Sequence, residues 1–237
     1  MERTRNIETT FMDKLERSLL ATAVIVAVIV MMAAGLYALQ TGTGFSIASL
    51  FSLASARSWW YISRAAGLMG YILFWLSTVW GFAISSKILD PLLERTFTYD
   101  FHEHLSLLGI GFVALHIIVL LLDTYAPFSI AQLMIPFTST YRPFWVGIGV
   151  ISLYITILVT ASFYLRKWIS MQAFRKIHVL SVVAYLGVLF HGIYSGTDST
   201  ITWVQLMYLG TSLFTVFFFT QWMFTLYFRK RELAVAK

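Results

Sequence analysis

The sequence predicts an all-α fold: a polytopic membrane bundle of six transmembrane helices. Three observations lead there. Hydrophobic residues make up 59% of the 237 and charged residues only 12%, whereas a soluble domain is about 45–50% apolar and about 25% charged. Six apolar runs, near 18–39, 60–86, 102–122, 144–165, 175–194 and 202–228, reach the roughly 20 residues that a helix needs to cross hydrocarbon. The basic residues between the runs fall on alternate sides, as they do in membrane proteins of fixed orientation.

The elements follow in order. Residues 1–17 form a polar segment with Arg3, Arg5, Lys14 and Arg17. The first run is longer than the roughly 7–15 residues of a signal-peptide core and reads as an uncleaved span. Lys87 and Arg95 lie in the second loop, Arg166, Lys167, Arg175 and Lys176 in the fourth, and Arg229, Lys230, Arg231 and Lys237 at the C-terminus. The opposite side carries only Arg57, Arg64 and Arg142. Both termini are therefore expected in the cytoplasm, with 18–228 as the membrane domain and 229–237 as a tail. The net charge of +6 is a topology signal, and no basic groove suggests nucleic acid. The outer loops 40–59 and 123–143 contain "FSIASLFSLASARS" and "PFSIAQLMIPF", which read either as short interfacial helices or as ordinary connections. Trp59, Trp60, Tyr61, Tyr141, Trp145 and Trp203 mark the outer interface, and Trp168, Trp222 and Tyr227 the inner. Trp75 and Trp80 lie mid-span, where they pack the core or flank a ligand. There is no internal repeat, no GxGxxG nucleotide-binding signature and no cysteine. The last absence excludes iron–sulfur clusters, thioether-linked cofactors and disulfides.

The five histidines, His102, His104, His116, His178 and His191, all belong to the third and fifth spans. An imidazole in hydrocarbon is costly unless something satisfies it. His102 and His116 are 14 residues apart, His178 and His191 are 13. At about 1.5 Å rise per residue the pairs are separated by roughly 21 and 19.5 Å, one histidine toward each interface of a core about 30 Å thick. Both helices run outward, so His102 is level with His178 and His116 with His191. Two facing imidazoles at each of two depths are the axial ligands that bis-histidyl haem requires, giving an expectation of two stacked b-type haems. Gly109 lies seven residues from each histidine of the third span and within about 20° of the same face, leaving room for a macrocycle edge. Thirteen steps at 100° miss a common face by about 140°, so the fifth span needs a distortion, for which Gly187 is the candidate. His104, two positions from His102, points to the other face and is not an expected ligand. The rival readings are core histidines bonded between helices, or a histidine-lined metal or proton pathway without haem.

Haem propionates need cations. Arg64 in "WYISRAAGLMGY" is the candidate on the outer side, with Arg142 in "STYRPFW" beside it, and Arg175 is the inner candidate, one turn before His178. For Arg64 the competing reading is snorkelling to lipid headgroups.

The paired histidines, "HEHLSLLGIGFVALH", "FRKIHVLSVVAYLGVLFHG" and "SRAAGL" together resemble the ferric reductase-like transmembrane domain family. That family includes ferric reductases, the membrane part of NADPH oxidases and the haem subunit of bacterial methionine sulfoxide reductase systems. The resemblance covers roughly 58–195, and the 14/13 asymmetry belongs to it. It implies one-electron transfer across the cell membrane between a donor and an outer acceptor, which is a partner protein, ferric iron or oxygen. The cytoplasmic flavin and nicotinamide module of many members is not in this sequence. The chain therefore resembles the stand-alone bacterial members, and the expected donor is a separate protein, a bound flavin such as FMN, or a quinol.

Overall fold

The structure is a computed structural model that describes residues 56–235. The segment 1–17, the first apolar run and the outer loop up to residue 55 lie outside the described residues. Those described form helices and no strands: α1 (Ala56–Ser85), α2 (Arg95–Leu122), α3 (Ile130–Met134), α4 (Pro143–Tyr164), α5 (Arg166–Ile169), α6 (Met171–His178), α7 (Leu180–Ser195), a 3-10 turn (Thr197–Thr200) and α8 (Thr202–Val235). Among the described residues five helical stretches are long and apolar enough to cross a membrane: Ser58–Ser85, Arg95–Leu122, Pro143–Tyr164, Met171–Ser195 and Thr202–Phe228. Their outward faces carry Ile118, Leu122, Ile157, Val183, Leu213, Phe217 and Phe224, all exposed, a surface suited to hydrocarbon.

The ends of the helices differ from the sequence reading in informative ways. α2 begins at Arg95 rather than 102, so His102 lies two turns inside a helix. α8 continues to Val235, past the expected boundary at 228. In the 123–143 connection, α3 starts with a capping box: the Ser129 hydroxyl accepts from the Gln132 N–H, and the Gln132 side chain accepts from the Ser129 N–H. The remainder of that loop is irregular.

α1 packs chiefly on α2, α4 on α7, and α8 on α1, while α1 also meets α7. The two histidine-bearing elements, α2 and α6–α7, are not a packed pair. They face each other across a gap between the α1–α2 hairpin and the α4–α7 pair. Where α1, α7 and α8 meet, the core gathers Tyr71, Tyr185, Leu189, Val204 and Tyr208. Polar groups in such a core need partners, and they have them. The Tyr71 hydroxyl meets Thr211 Oγ1 at 2.5 Å, Tyr185 meets Thr215 at 3.1 Å, and the Trp75 indole donates to the Thr211 carbonyl at 3.0 Å. The Trp80 indole donates to the Thr98 carbonyl at 2.9 Å. Both mid-span tryptophans therefore bind helix to helix.

The distortion required of the fifth span is present, but beside His178. The helix breaks at Val179 between α6 and α7, and the Val182 N–H bonds the Val179 carbonyl three residues back at 3.1 Å. A 3-10 turn adds about 20° per residue to the α-helical rotation, which recovers part of the missing angle. Gly187 instead lets α7 lie against Ser152 of α4, whose hydroxyl occupies the space a Cβ would need.

Candidate cofactor site

The gap holds two cavities, one at each histidine level. His102 and His178 line the lower one, about 150 Å³, and His116 and His191 the upper one, about 550 Å³. The structure thus brings together the four histidines in the pairs the sequence spacing assigns. The lower rings are 6.0 Å apart between centroids and cross at 71°. An imidazole nitrogen binds a transition metal at about 2.0–2.1 Å with the ring centroid about 1.1 Å behind it, so two imidazoles on one metal have centroids about 6 Å apart.

The hydrogen bonds show which nitrogen is free. His116 Nδ1 lies 2.8 Å from the Ser63 carbonyl, and His191 Nδ1 lies 2.9 Å from the Trp145 carbonyl. A carbonyl only accepts, so both rings carry their proton on Nδ1 and present Nε2 as a lone pair. His102 Nδ1 is 3.3 Å from the Ser77 hydroxyl. His178 Nδ1 is buried without a partner among the described residues. None of the four Nε2 atoms is hydrogen-bonded within the described residues. An ordinary interhelical histidine uses both nitrogens; these rings are anchored, where anchored at all, by Nδ1 alone.

The supporting residues escaped the sequence reading. A Cβ on Gly67 would meet His116 Nδ1 at 3.2 Å, one on Gly81 would meet His102 Cε1 at 3.3 Å, and one on Gly149 would meet His191 Nδ1 at 2.6 Å. Ser63 and Gly67 serve His116, while Ser77 and Gly81 serve His102. α1 therefore carries the pattern Ser-x-x-x-Gly twice, 14 residues apart, antiparallel to the 14-residue histidine spacing of α2. That shared interval was the available signal.

Other expected site residues sit elsewhere. Gly109 lines neither cavity; a Cβ there would lie 2.9 Å from the Phe74 ring, so the room it makes is taken by Phe74. Phe74, Thr156 and Val188 line both cavities and separate them. Arg64 is in the upper wall, where its Nε donates to Asp198 Oδ2 at 2.7 Å and its terminal nitrogen pairs with Oδ1. Arg142 is exposed; it donates to the Tyr194 carbonyl, as the Tyr141 hydroxyl does to Ser195 at 3.0 Å. These two side chains satisfy carbonyls at the C-terminal end of α7, next to His191. Arg175 is exposed and lines neither cavity. His104 is exposed too, its Nδ1 on the Asp100 carbonyl at 2.7 Å.

Among the described residues no three of His, Cys, Asp and Glu come together as a metal cluster. A metal ion at either level would find two protein ligands, and its remaining positions would need another source. A macrocycle with four ring nitrogens is such a source. The upper cavity lies within the roughly 300–1,000 Å³ of small-molecule sites and is mostly apolar. The lower level has the ring separation but less room, so a macrocycle there requires its lining side chains to move outward. Among the described residues the charged groups in the two linings are Arg64 and Asp198.

No family model, curated protein or solved structure matches this chain.

Proposed function

We propose that the chain is a transmembrane di-haem b electron-transfer protein, the haem-bearing membrane component of a ferric reductase-like oxidoreductase. The observation that carries this reading is the pairing of half-buried histidines with unbonded Nε2 atoms at two depths, with 6.0 Å between the ring centroids of the lower pair. His102 and His178 would hold one haem, His116 and His191 the other. Haem supplies a one-electron couple when bound. The chain's own residues hold the rings in place and, among those described, line the cavities with apolar groups and one carboxylate, Asp198. Lys87, Arg95, Arg166, Lys167, Arg175 and Lys176 all lie toward the His102–His178 end, in the turn after α1, the start of α2 and the short helices α5 and α6, which favours that end as cytoplasmic. Electrons would then enter below from a separate protein, flavin or quinol and leave above to a protein, ferric iron or oxygen. A histidine-lined transporter without haem is disfavoured because, among the described residues, the linings offer a cation path one carboxylate, Asp198, and that one is paired with Arg64.

The test is cofactor content. Protein purified in mild detergent is expected to be red, with two haems b per chain by pyridine haemochrome, extractable into acidified organic solvent since no cysteine can tether them. A colourless protein that takes up no added haem overturns the reading.

A further inference from the structure

His102 differs from its counterparts in how its tautomer is set. His116 and His191 donate to backbone carbonyls, which no side-chain substitution removes. His102 makes its hydrogen bond to a hydroxyl, with the Ser77 backbone only a further, weaker contact. Its Nδ1 is 3.3 Å from Ser77 Oγ, Ser77 Oγ is 2.8 Å from Ser106 Oγ, and Ser106 Oγ is 2.9 Å from the His102 carbonyl. The circuit starts and ends on His102.

Its direction follows from its last member. The His102 carbonyl has no hydrogen to give, so Ser106 must donate to it. With that hydrogen committed, Ser106 accepts from Ser77. With the Ser77 hydrogen committed in turn, Ser77 accepts from His102. The proton is therefore on Nδ1, and Nε2 is left as a lone pair.

We propose that Ser77 and Ser106 are positioning residues that hold His102 in the Nδ1–H tautomer and turn its free nitrogen toward the lower cavity. Ser63, the equivalent position in the first Ser-x-x-x-Gly pattern, is dispensable for this purpose. Its hydroxyl is 3.0 Å from His116 Nδ1, but its own carbonyl is nearer, at 2.8 Å, and stays when the hydroxyl is removed. Two serines that look alike in sequence thus differ in their consequence. Ser106 acts at one remove: without it, the Ser77 hydroxyl is free to rotate and donate to Nδ1, which favours the wrong tautomer.

The significance of this assignment for cofactor binding rests on the di-haem reading; the tautomer itself does not. The experiment therefore has two independent readouts. Nitrogen-15 NMR of labelled imidazoles in haem-free, detergent-solubilised protein reports the tautomer. Haem titration with optical and low-temperature spectra reports the sites when loaded. Ser77→Ala is expected to lose the Nδ1–H preference of one histidine and to weaken the lower haem by about 10–100-fold, the usual cost of losing such a supporting bond. Ser77→Thr, which keeps the hydroxyl, is expected to restore both. Ser106→Ala is expected to shift the same histidine, and Ser63→Ala to leave every tautomer and both haems unchanged. If Ser77→Ala does not fold, Ser106→Ala and Ser77→Thr still decide the matter. Equal effects from Ser63→Ala and Ser77→Ala, or unchanged tautomers in both Ser77→Ala and Ser106→Ala, overturn the assignment. Wild-type protein that binds no haem yet shows the described tautomers and their loss in Ser77→Ala overturns the haem reading and leaves the hydroxyl circuit standing.

Discussion

Replacing Gly149 by alanine places a methyl group against the His191 ring, 2.6 Å from Nδ1 and 2.9 Å from both Cε1 and Cγ. Carbon makes comfortable contacts at about 3.5–4.0 Å, so the ring or the backbone of α4 must yield by about 1 Å. The ring cannot yield freely. Its Nδ1 is fixed at 2.9 Å on the Trp145 carbonyl, and the Trp145 ring is itself stacked on Tyr194 of α7 with centroids 4.0 Å apart. Overpacking of this kind costs about 1–3 kcal/mol. At about 1.4 kcal/mol per factor of ten, upper-level haem should bind roughly 5- to 150-fold more weakly. The same change at Gly67 meets His116 at 3.2 Å, and at Gly81 meets His102 at 3.3 Å, so a few tenths of an ångström suffice and the loss should be several-fold smaller. Gly111→Ala is the control, since beyond its own helix backbone no atom of the described residues lies within 4 Å of its Cβ position. The assay is haem titration of the four variants in detergent, with thermal unfolding alongside to separate loss of haem from loss of fold. A normal upper haem in Gly149→Ala, or a loss in Gly111→Ala as large as in Gly149→Ala, would refute the reasoning.

Three further outcomes are expected. His102→Ala and His178→Ala should remove the same haem and His116→Ala and His191→Ala the other, with His104→Ala leaving both; low-temperature spectra of the five variants check this, and a haem lost in His104→Ala would break the assignment. Arg64→Ala removes a cation from the upper wall and leaves the Asp198 carboxylate unpaired, so the upper midpoint potential should fall, while Asp198→Asn should raise it; a redox titration in which the two variants shift it the same way would contradict the ion pair. Trp80→Phe removes the indole donor to the Thr98 carbonyl in a half-buried setting and should cost about 0.5–1.5 kcal/mol, read as a lower unfolding temperature with haem content unchanged.

The sequence made the long helices legible because their signal is length and apolarity, and the histidine pairs legible because polar residues in apolar runs are few. The ligand partners followed from direction alone: two helices entering from the same side must align equal depths. What stayed hidden has a common cause. Ser63, Gly67, Ser77, Gly81 and Gly149 are small residues of types common in any packed helix, and their meaning depends on which ring faces them. That is a property of interhelical register, which no single helix encodes. Arg64 reads in the sequence as a cation for a haem propionate or for lipid headgroups, yet Asp198, 134 residues away, comes to it because the 3-10 turn after α7 lies at the upper cavity. For the fifth span the angular misfit was correctly read as a demand for distortion, but glycine was a poor guide to its position. The break came at Val179, directly after His178, the residue that needed to turn.

The division of labour between the helices explains why the histidine elements need not touch. α2 supplies one histidine at each level and leans on α1, whose serines and glycines set both rings. α6–α7 supplies the other histidine at each level, and the upper one leans on α4 through Trp145 and Gly149. Each half of the bundle thus prepares two half-sites, and a group bound between them would join the halves at both depths. In the protein itself that joint is made by α1 against α7, by the aromatic core under α8, and by the Tyr164 hydroxyl reaching Glu103 across the gap at 2.9 Å. A ligand that binds only the joined form stabilises it by an amount that grows with the logarithm of its concentration over its dissociation constant. The two levels would contribute unequally. The upper level rests on backbone carbonyls and already encloses about 550 Å³, whereas the lower rests on hydroxyls, leaves His178 Nδ1 unanchored and encloses about 150 Å³. The free energy of opening room for a cofactor therefore falls mainly on the lower level, and the order of filling should be upper before lower.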